Sequence, residues 1–289
     1  MLIPIKYHKR NYPPHIKAKI DEIAGHFDVS KKINTDREFS LHTEYSYGKR
    51  KFNSKILKSF PTILESNKDG VPQLWRSSRW AFEFAEFVKL LCESHKPTII
   101  EIHPPFSDYT ETIQQFLEVY QIFENSILNY STETKIVIEN RTGSIYKSGK
   151  FLVSKVHELI SLCEYITKKN LNLRIALDVP QLLTAYGGPH KLSIERLCKI
   201  LSKLNEIQSM AISIHLWGKR RNASGRLISH SGDLNTYFEE VEKKEVFLKW
   251  LVEFLNDGMK RYFVPEVNSS DEDLFSIVNE LEEKGINFG

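Results

Sequence analysis

Five apolar runs in this sequence each end in a residue type that binds divalent metal, and the ends are evenly spaced. They are Thr98-Ile-Ile-Glu-Ile-His103, Lys135-Ile-Val-Ile-Glu139, Leu173-Arg-Ile-Ala-Leu-Asp178, Met210-Ala-Ile-Ser-Ile-His215 and Arg261-Tyr-Phe-Val-Pro-Glu266. From His103 onward the ends follow at intervals of 36, 39, 37 and 51 residues, at positions 139, 178, 215 and 266. A strand with its return helix takes ~30 residues or more in a parallel α/β unit. Successive ends therefore sit one unit apart, each at the C-terminal end of its strand. Closing such units into a barrel gathers those ends at one mouth, where barrel enzymes keep their active sites. Two His, two Glu and one Asp there read as a metal site. Polar residues that merely stop buried strands would not select ligand types five times running.

Helix-length segments with apolar residues at helical spacing separate the runs: Ser78 to Glu93, Thr110 to Leu128, Val153 to Ile166, Ser193 to Leu204, Thr236 to Leu255, and a segment capped at Ser270. This alternation predicts an α/β fold, a single (β/α)8 TIM-type barrel with its metal site at the C-terminal mouth. A sixth strand is predicted at Glu38 to His42, again ending in histidine. Leu2 to Tyr7 reads as a strand, Pro14 to His26 as a helix and Ile286 to Phe288 as a short last strand. No linker or low-complexity stretch interrupts the chain, so residues 1–289 are expected to form one domain.

The 289 residues, with 41% hydrophobic and 27% charged, suit a soluble globular protein with a large core. A formal charge of +3 is too small to imply a nucleic-acid partner by itself, so local clustering of the basic residues matters more. No run approaches the ~18 apolar residues of a membrane span, and Met1-Leu-Ile-Pro-Ile-Lys lacks a signal-peptide core. Cys92, Cys163 and Cys198 lie in helix-like apolar patterns and read as reduced core residues, so a cytoplasmic protein is expected.

Imidazoles mixed with carboxylates suit Zn²⁺, Mn²⁺ or Co²⁺, zinc foremost, more than Mg²⁺ or Ca²⁺, which avoid nitrogen ligands. Two such ions ~4 Å apart, one carboxylate bridging them, activate water and steady both oxygens of an in-line phosphoryl displacement. One ion would instead polarise a sugar carbonyl while a nearby carboxylate moves the proton. The residues leave one or two ions open.

The strand ends resemble those of the xylose-isomerase-like barrel superfamily and, within it, of the endonuclease IV family of zinc-dependent abasic-site endonucleases. Ile138-Glu-Asn140 with Thr142-Gly143 resembles that family's Glu-Asn-Thr-Ala-Gly stretch, whose Glu bridges two zincs, and His103-Pro104 resembles its His-Pro-Gly strand end. Leu41-His-Thr-Glu-Tyr45 is similar to its His-x-x-Tyr element, with a ligand His and a DNA-contacting Tyr. Ile175-Ala-Leu-Asp178 continuing to Ala185-Tyr-Gly187, Ile214-His-Leu216 and Pro265-Glu266 resemble further segments of the family, in its order. Gln181 stands where the family has a third-metal histidine. His230 is the nearest candidate for another, with Ile228 in place of the family's aspartate, and Trp217-Gly218 replaces Asn-Asp. No segment resembles the family's first strand, with its Gly-x-His.

The resemblance implies a metal set of His42, His103, Glu139, Asp178, His215 and Glu266, with Glu139 and Glu266 catalytic and His230 and Gln181 as an additional site. Buried unpaired carboxylates at strand ends are costly, and shared hydrogen bonding is the plain alternative to ligation. Glu101 points as His103 does but one layer deeper, and calls for a lysine or arginine inside the barrel. His8, His15, His26, His95, His157 and His190 read as surface or capping residues. Two basic clusters, Gly48-Lys-Arg-Lys51 and Gly218-Lys-Arg-Arg221 with Arg226, follow the His42 and His215 strands. From them Lys49, Arg50, Lys219 and Arg220, with Tyr45, are expected to bind substrate phosphates, although charge runs are commonly plain solvated loops. Tyr47, Tyr186 and Trp217 offer stacking surfaces nearby. The function expected is a phosphodiesterase acting on abasic or damaged DNA. The alternatives are a metal-dependent isomerase or epimerase of a sugar or sugar phosphate, and a degenerate barrel without turnover.

Overall fold

Eight strands, all but the second buried along most of their length, form the sheet of the computed structural model, which describes residues 1–46, 49–146 and 149–289. They are β1 (Leu2–Lys6), β2 (Ile20–Gly25), β3 (Glu38–Thr43), β4 (Ile99–Ile102), β5 (Lys135–Glu139), β6 (Arg174–Asp178), β7 (Ala211–Leu216) and β8 (Arg261–Pro265). Each strand neighbours its sequence neighbour, β1 pairs with β8, and the parallel sheet closes into the α/β barrel that the strand spacing predicts. The chain divides into two compact units, Met1–Asp21 with Ala176–Gly289, and Glu22–Ile175.

The helices follow from local chemistry. In α1 (Ser78–Cys92), Ser77 accepts from the Trp80 amide at the N-terminus, and Trp80, Phe84, Phe87, Val88 and Leu91 are buried at helical spacing. In α2 (Ile113–Tyr130), Thr112 and Gln115 form a reciprocal capping box. The next, α3 (Val156–Lys169), ends at Asn170 in the left-handed conformation. Later come α4 (Val179–Ala185), α5 (Ile194–Leu204) capped by Ser193, α6 (Leu234–Phe238), α7 (Val241–Leu255) and α8 (Asp271–Glu283) capped by Ser270. Trp75, Trp80, Phe84, Phe116, Tyr120 and Phe123 build one aromatic core within Glu22–Ile175. Each such ring contributes on the order of 2 kcal/mol by burial.

Four expectations need correction. Pro14 to His26 is not a helix: its second half is β2, whose Ile20 and Asp21 pair with Ile5 and Lys6 of β1. Sheet pairing here overrides a spacing of Ile16, Ile20 and Ile23 that imitates a helix. Ile286 to Phe288 supplies only an isolated bridge, Leu2 to Phe288, because β8 and β2 already flank β1 in the closed sheet. Thr236 to Leu255 is two helices, α6 and α7, separated where Glu239 adopts φ +58°. Cys92 and Cys163 are buried, whereas Cys198 is exposed; all three are free. Among the described residues no helix is long and apolar enough to cross a membrane.

Candidate metal centre

Strand register brings the first set of groups together within Glu22–Ile175. His42 of β3 pairs with Glu101 of β4, and Ile102 of β4 pairs with Ile138 of β5, so one step further His103 comes level with Glu139. Residues level on adjacent strands point to the same face. His42 Nδ1 is accordingly 3.4 Å from Glu101 Oε1 and 3.3 Å from Glu22 Oε1 of β2, so the imidazole has a carboxylate from each neighbouring strand. His103 Nε2 is 3.2 Å from Glu139 Oε2 and 3.9 Å from Glu101 Oε1. His42, Glu101 and His103 each offer a ligand atom within 4.8 Å of the others. Two imidazoles thus stand near Glu101, His42 from the paired position of β3 and His103 from the next layer of its own strand.

The tautomer of His103 is fixed by its surroundings. Its Nδ1 lies 3.1 Å from the Glu44 carbonyl oxygen, and a carbonyl only accepts, so Nδ1 carries the hydrogen. Burial holds the His103 pKa below the ordinary imidazole range, against the pull of Glu139, and favours the neutral ring. Neutral Nε2 then presents a lone pair to a carboxylate oxygen, two acceptors facing each other with no hydrogen between them. A divalent cation held by this set would give the His103 nitrogen its partner, and the mixture of imidazole and carboxylate donors fits zinc, manganese or cobalt. The Trp75 indole donates to the His103 carbonyl at 2.6 Å and anchors the strand end.

Around this set the second neighbours are charged. Arg141 donates to Glu139 Oε2 at 2.6 Å, and its guanidinium lies 5.4 Å from the Tyr45 ring centroid. Arg50 donates to Glu44 Oε1 at 2.9 Å and to the Tyr45 hydroxyl at 3.1 Å, and meets His26 Nδ1 at 2.9 Å. Burial raises the Glu44 pKa, and Arg50 pulls the other way. His26 also packs edge-on against His42 and Tyr45, with ring centroids 5.8 and 5.4 Å away. It belongs to this cluster and is not a surface residue; misreading β2 as a helix concealed it. His8, His15, His157 and His190 are exposed as expected, and His95 is half-buried.

The unit of Met1–Asp21 and Ala176–Gly289 carries a second set. Glu266 receives two histidines: His215 Nδ1 is 3.2 Å from Oε1, and His230 Nδ1 is 3.3 Å from Oε2 and 3.0 Å from the Glu266 carbonyl oxygen. His230 adopts φ +56° and stacks on Trp217 at 4.2 Å between centroids. The Trp217 indole donates to Asp178 Oδ2 at 2.8 Å, while Asp178 Oδ1 accepts the Gln181 amide at 2.7 Å as the N-cap of α4. Gly218 makes this packing feasible, since a Cβ there would lie 2.4 Å from the Asp233 carbonyl oxygen. The sequence pattern missed α4 and with it the capping role of Asp178 and the burial of Gln181.

The basic residues expected to meet substrate differ in surroundings. Lys49 is exposed, while Arg50 is tied to Glu44. Arg220 is paired with Asp273 at 2.6 Å and Arg221 with Glu239 at 3.0 Å, on a hairpin of Lys219–Arg221 and Leu227–Ser229. Tyr186 is half-buried at the end of α4, and Tyr47 and Gly48 lie outside the described residues.

No protein-family model matches this chain, and no curated protein matches it either. Among solved structures, one described as AsfvAP:AG is 14% identical over 85% of both chains, with a TM-score of 0.53. A D-tagatose 3-epimerase-like protein is 12% identical over 98% of this chain and 97% of its own, with a TM-score of 0.49. An AP endonuclease, family 2, from Brucella melitensis is 11% identical over 81% of this chain and 85% of its own, with a TM-score of 0.47. At these identities the likeness is one of fold alone, and the first of these structures shares it over most of this chain.

Proposed function

We propose that the protein is a divalent-metal-dependent, cytoplasmic phosphodiesterase acting on abasic or otherwise damaged DNA. The observation that carries this reading is the locked neutral His103, whose bare Nε2 faces Glu139. The ligands are drawn from His42, His103, Glu139, Asp178, His215 and Glu266, and the chemistry a bound ion supplies is acidification of water and neutralisation of a leaving oxygen. A sugar isomerase of this fold type would need Glu139, Asp178, His215 and Glu266 but not His42 and His103. The two extra imidazoles, and the order of the strand-end motifs, therefore support the nuclease reading. Around the ligands, the Glu44 carbonyl fixes the His103 tautomer, and Trp217 holds Asp178 and the His230 ring. Glu139 and Glu266 are the catalytic carboxylates, and His230 with Gln181 is the place for an additional ion. Tyr45, Lys49, Arg50, Lys219 and Arg220 face the phosphates in this reading; Lys49 is exposed and the two arginines would have to share their carboxylates.

One observation favours a second reading. Both Asp178 oxygens accept hydrogen bonds from the protein, which suits a single ion and hence isomerase or epimerase chemistry on a sugar or sugar phosphate. Metal analysis of the purified protein, together with cleavage of a fluorescent abasic duplex and ketose turnover, separates the two. About two zinc ions per chain with duplex cleavage is expected. One ion with ketose turnover moves the assignment to the isomerase. No metal and no turnover leaves a non-catalytic barrel.

A further inference from the structure

Glu101 is a buried carboxylate at the strand ends that the ligand set above leaves out. Its side chain is 3% exposed, and its place is fixed twice. Register sets it level with His42 of β3, and its carbonyl accepts the Thr43 hydroxyl at 2.7 Å. From there Oε1 lies 3.4 Å from His42 Nδ1 and 3.9 Å from His103 Nε2. Hydrogen-bonded nitrogen and oxygen sit about 2.7–3.2 Å apart. Two ligand atoms on one tetrahedral zinc, with bonds of about 2.0–2.1 Å, sit roughly 3.3 Å apart. The Glu101 distances lie beyond the hydrogen-bonding range and near that tetrahedral edge. His42, Glu101 and His103 form one group whose ligand atoms all fall within 4.8 Å of one another, and Glu22, on the other side of His42, falls outside it. His103 converges on the same space. It is fully buried, its Nδ1 hydrogen is committed to the Glu44 carbonyl, and no hydrogen bond reaches Nε2 among the described residues. A bare lone pair there calls for a donor or a cation, and ionised carboxylates offer only further acceptors.

We propose that Glu101 is a direct ligand of the divalent ion that His42 and His103 hold. This rests on the metal-dependent reading above and deepens it. Two imidazoles and one carboxylate from β3 and the end of β4 make a donor set suited to zinc or cobalt and not to magnesium or calcium. The positive charge that a carboxylate buried one layer below His103 requires is then supplied by the metal, not by a lysine or arginine. In the plain alternative Glu101 is an ion-pair partner of a protonated His42, and it steadies the fold with no metal present.

Cobalt(II) titration of the full-length protein without substrate, followed by visible absorption, tests the assignment, with thermal melts in chelator alongside. His103→Ala marks which part of the titration belongs to this set. Glu101→Gln should lose the same part, its affinity falling by at least about a hundredfold, more than for a residue that only orients a ligand. Glu101→Asp should regain some of it with shifted absorption bands, because a carboxylate oxygen returns at a changed distance. Glu22→Gln should weaken binding about tenfold and leave the bands in place. In chelator, Glu101→Gln should melt no lower than the wild type, since it removes a buried charge; loss of an ion-pair partner of His42 would lower the melt. Wild-type cobalt binding by Glu101→Gln, a lower melting temperature for it in chelator, or no cobalt bound by the wild type overturns the assignment. If the Glu101-dependent ion binds while an abasic duplex stays uncleaved, the ligand stands and the proposed function falls. Duplex cleavage with cobalt binding indifferent to Glu101 gives the opposite outcome.

Discussion

The base of β7 and β8 and the C-terminal ends of β3, β4 and β5 both bury charge, and they settle it in different ways. At the base, Arg261 is fully buried and every nitrogen has a protein acceptor. Nη1 and Nη2 reach Asp257 at 2.7 and 2.5 Å, Nε reaches the Ala211 carbonyl at 2.8 Å and Nη2 the Gln208 carbonyl at 2.9 Å. At the strand ends, Glu22, Glu101 and Glu139 instead crowd onto His42 and His103, and His103 is driven toward its neutral form. A buried charge matched donor for acceptor serves architecture. Carboxylates gathered on imidazole nitrogens are preorganised for a cation from outside, and that difference marks where chemistry belongs.

The comparison breaks first at Glu139. Glu139→Gln should lower turnover by at least about a thousandfold, because the amide neither bridges cations nor moves protons. The fold should remain, with circular dichroism and a cooperative melt like those of the wild type. Steady-state kinetics on the abasic duplex reads the first part, and activity within about tenfold of wild type would remove Glu139 from the centre of the mechanism. Metal should then separate the two regions thermodynamically. Zinc in thousandfold excess over its dissociation constant stabilises the folded state by about 4 kcal/mol. Calorimetry should show that gain sharply reduced in His103→Ala and preserved in an Asp257 variant. A melting temperature indifferent to both zinc and chelator would make the strand ends another closed network like the base.

At the base the expected effect is on stability alone. Asp257→Asn takes the counter-charge from the buried Arg261 and should cost about 2 kcal/mol in urea denaturation, the range for a hydrogen bond to a charged group, because Asp257 itself is exposed. Turnover of the folded variant should match the wild type. A loss of activity without a loss of stability would show that the base communicates with the chemistry.

Much of the barrel is legible in the sequence because its strands are buried on both faces. Such strands read as unbroken apolar runs, and each run stops abruptly at a polar residue. Strand β2 escaped because Asp21 and Glu22 break its apolar pattern, leaving the three-to-four spacing of Ile16, Ile20 and Ile23 to suggest a helix. With β2 went His26 and Glu22, two members of the cluster around His42. The neighbours of Glu101 were illegible for another reason: they depend on the register of β3 against β4, a long-range quantity that no local pattern encodes. Asp178 is a case of competing local roles. It ends a strand and also opens α4, whose Pro180 reads as a breaker although proline is tolerated in a first helical turn. Arg141, beside Glu139, carries no motif and became visible only through its contact with that carboxylate.

The smallest expected effect is the pH dependence of the Asp257 pair. Hydrogen bonds and charge from Arg261 hold the Asp257 carboxyl at about 2, below its ordinary 3.8. Its folded-state value thus lies below its unfolded one, so between the two the unfolded chain binds more protons and stability rises with pH. The contribution is complete above 3.8 and is lost as pH falls toward about 2. Because Asp257 is exposed and water screens the pair, the contribution is about 1 kcal/mol, less than the interval alone would give. The stability difference between wild type and Asp257→Asn should therefore be flat near neutrality and shrink by that amount on acidification, because the variant has no carboxyl to protonate. Urea denaturation of both proteins at a series of pH values across the interval measures it, and taking the difference cancels every other group that titrates there. A difference that stays constant through the interval would mean that Arg261 is held by the Ala211 and Gln208 carbonyls alone. The base would then be closed by its backbone, with Asp257 a bystander.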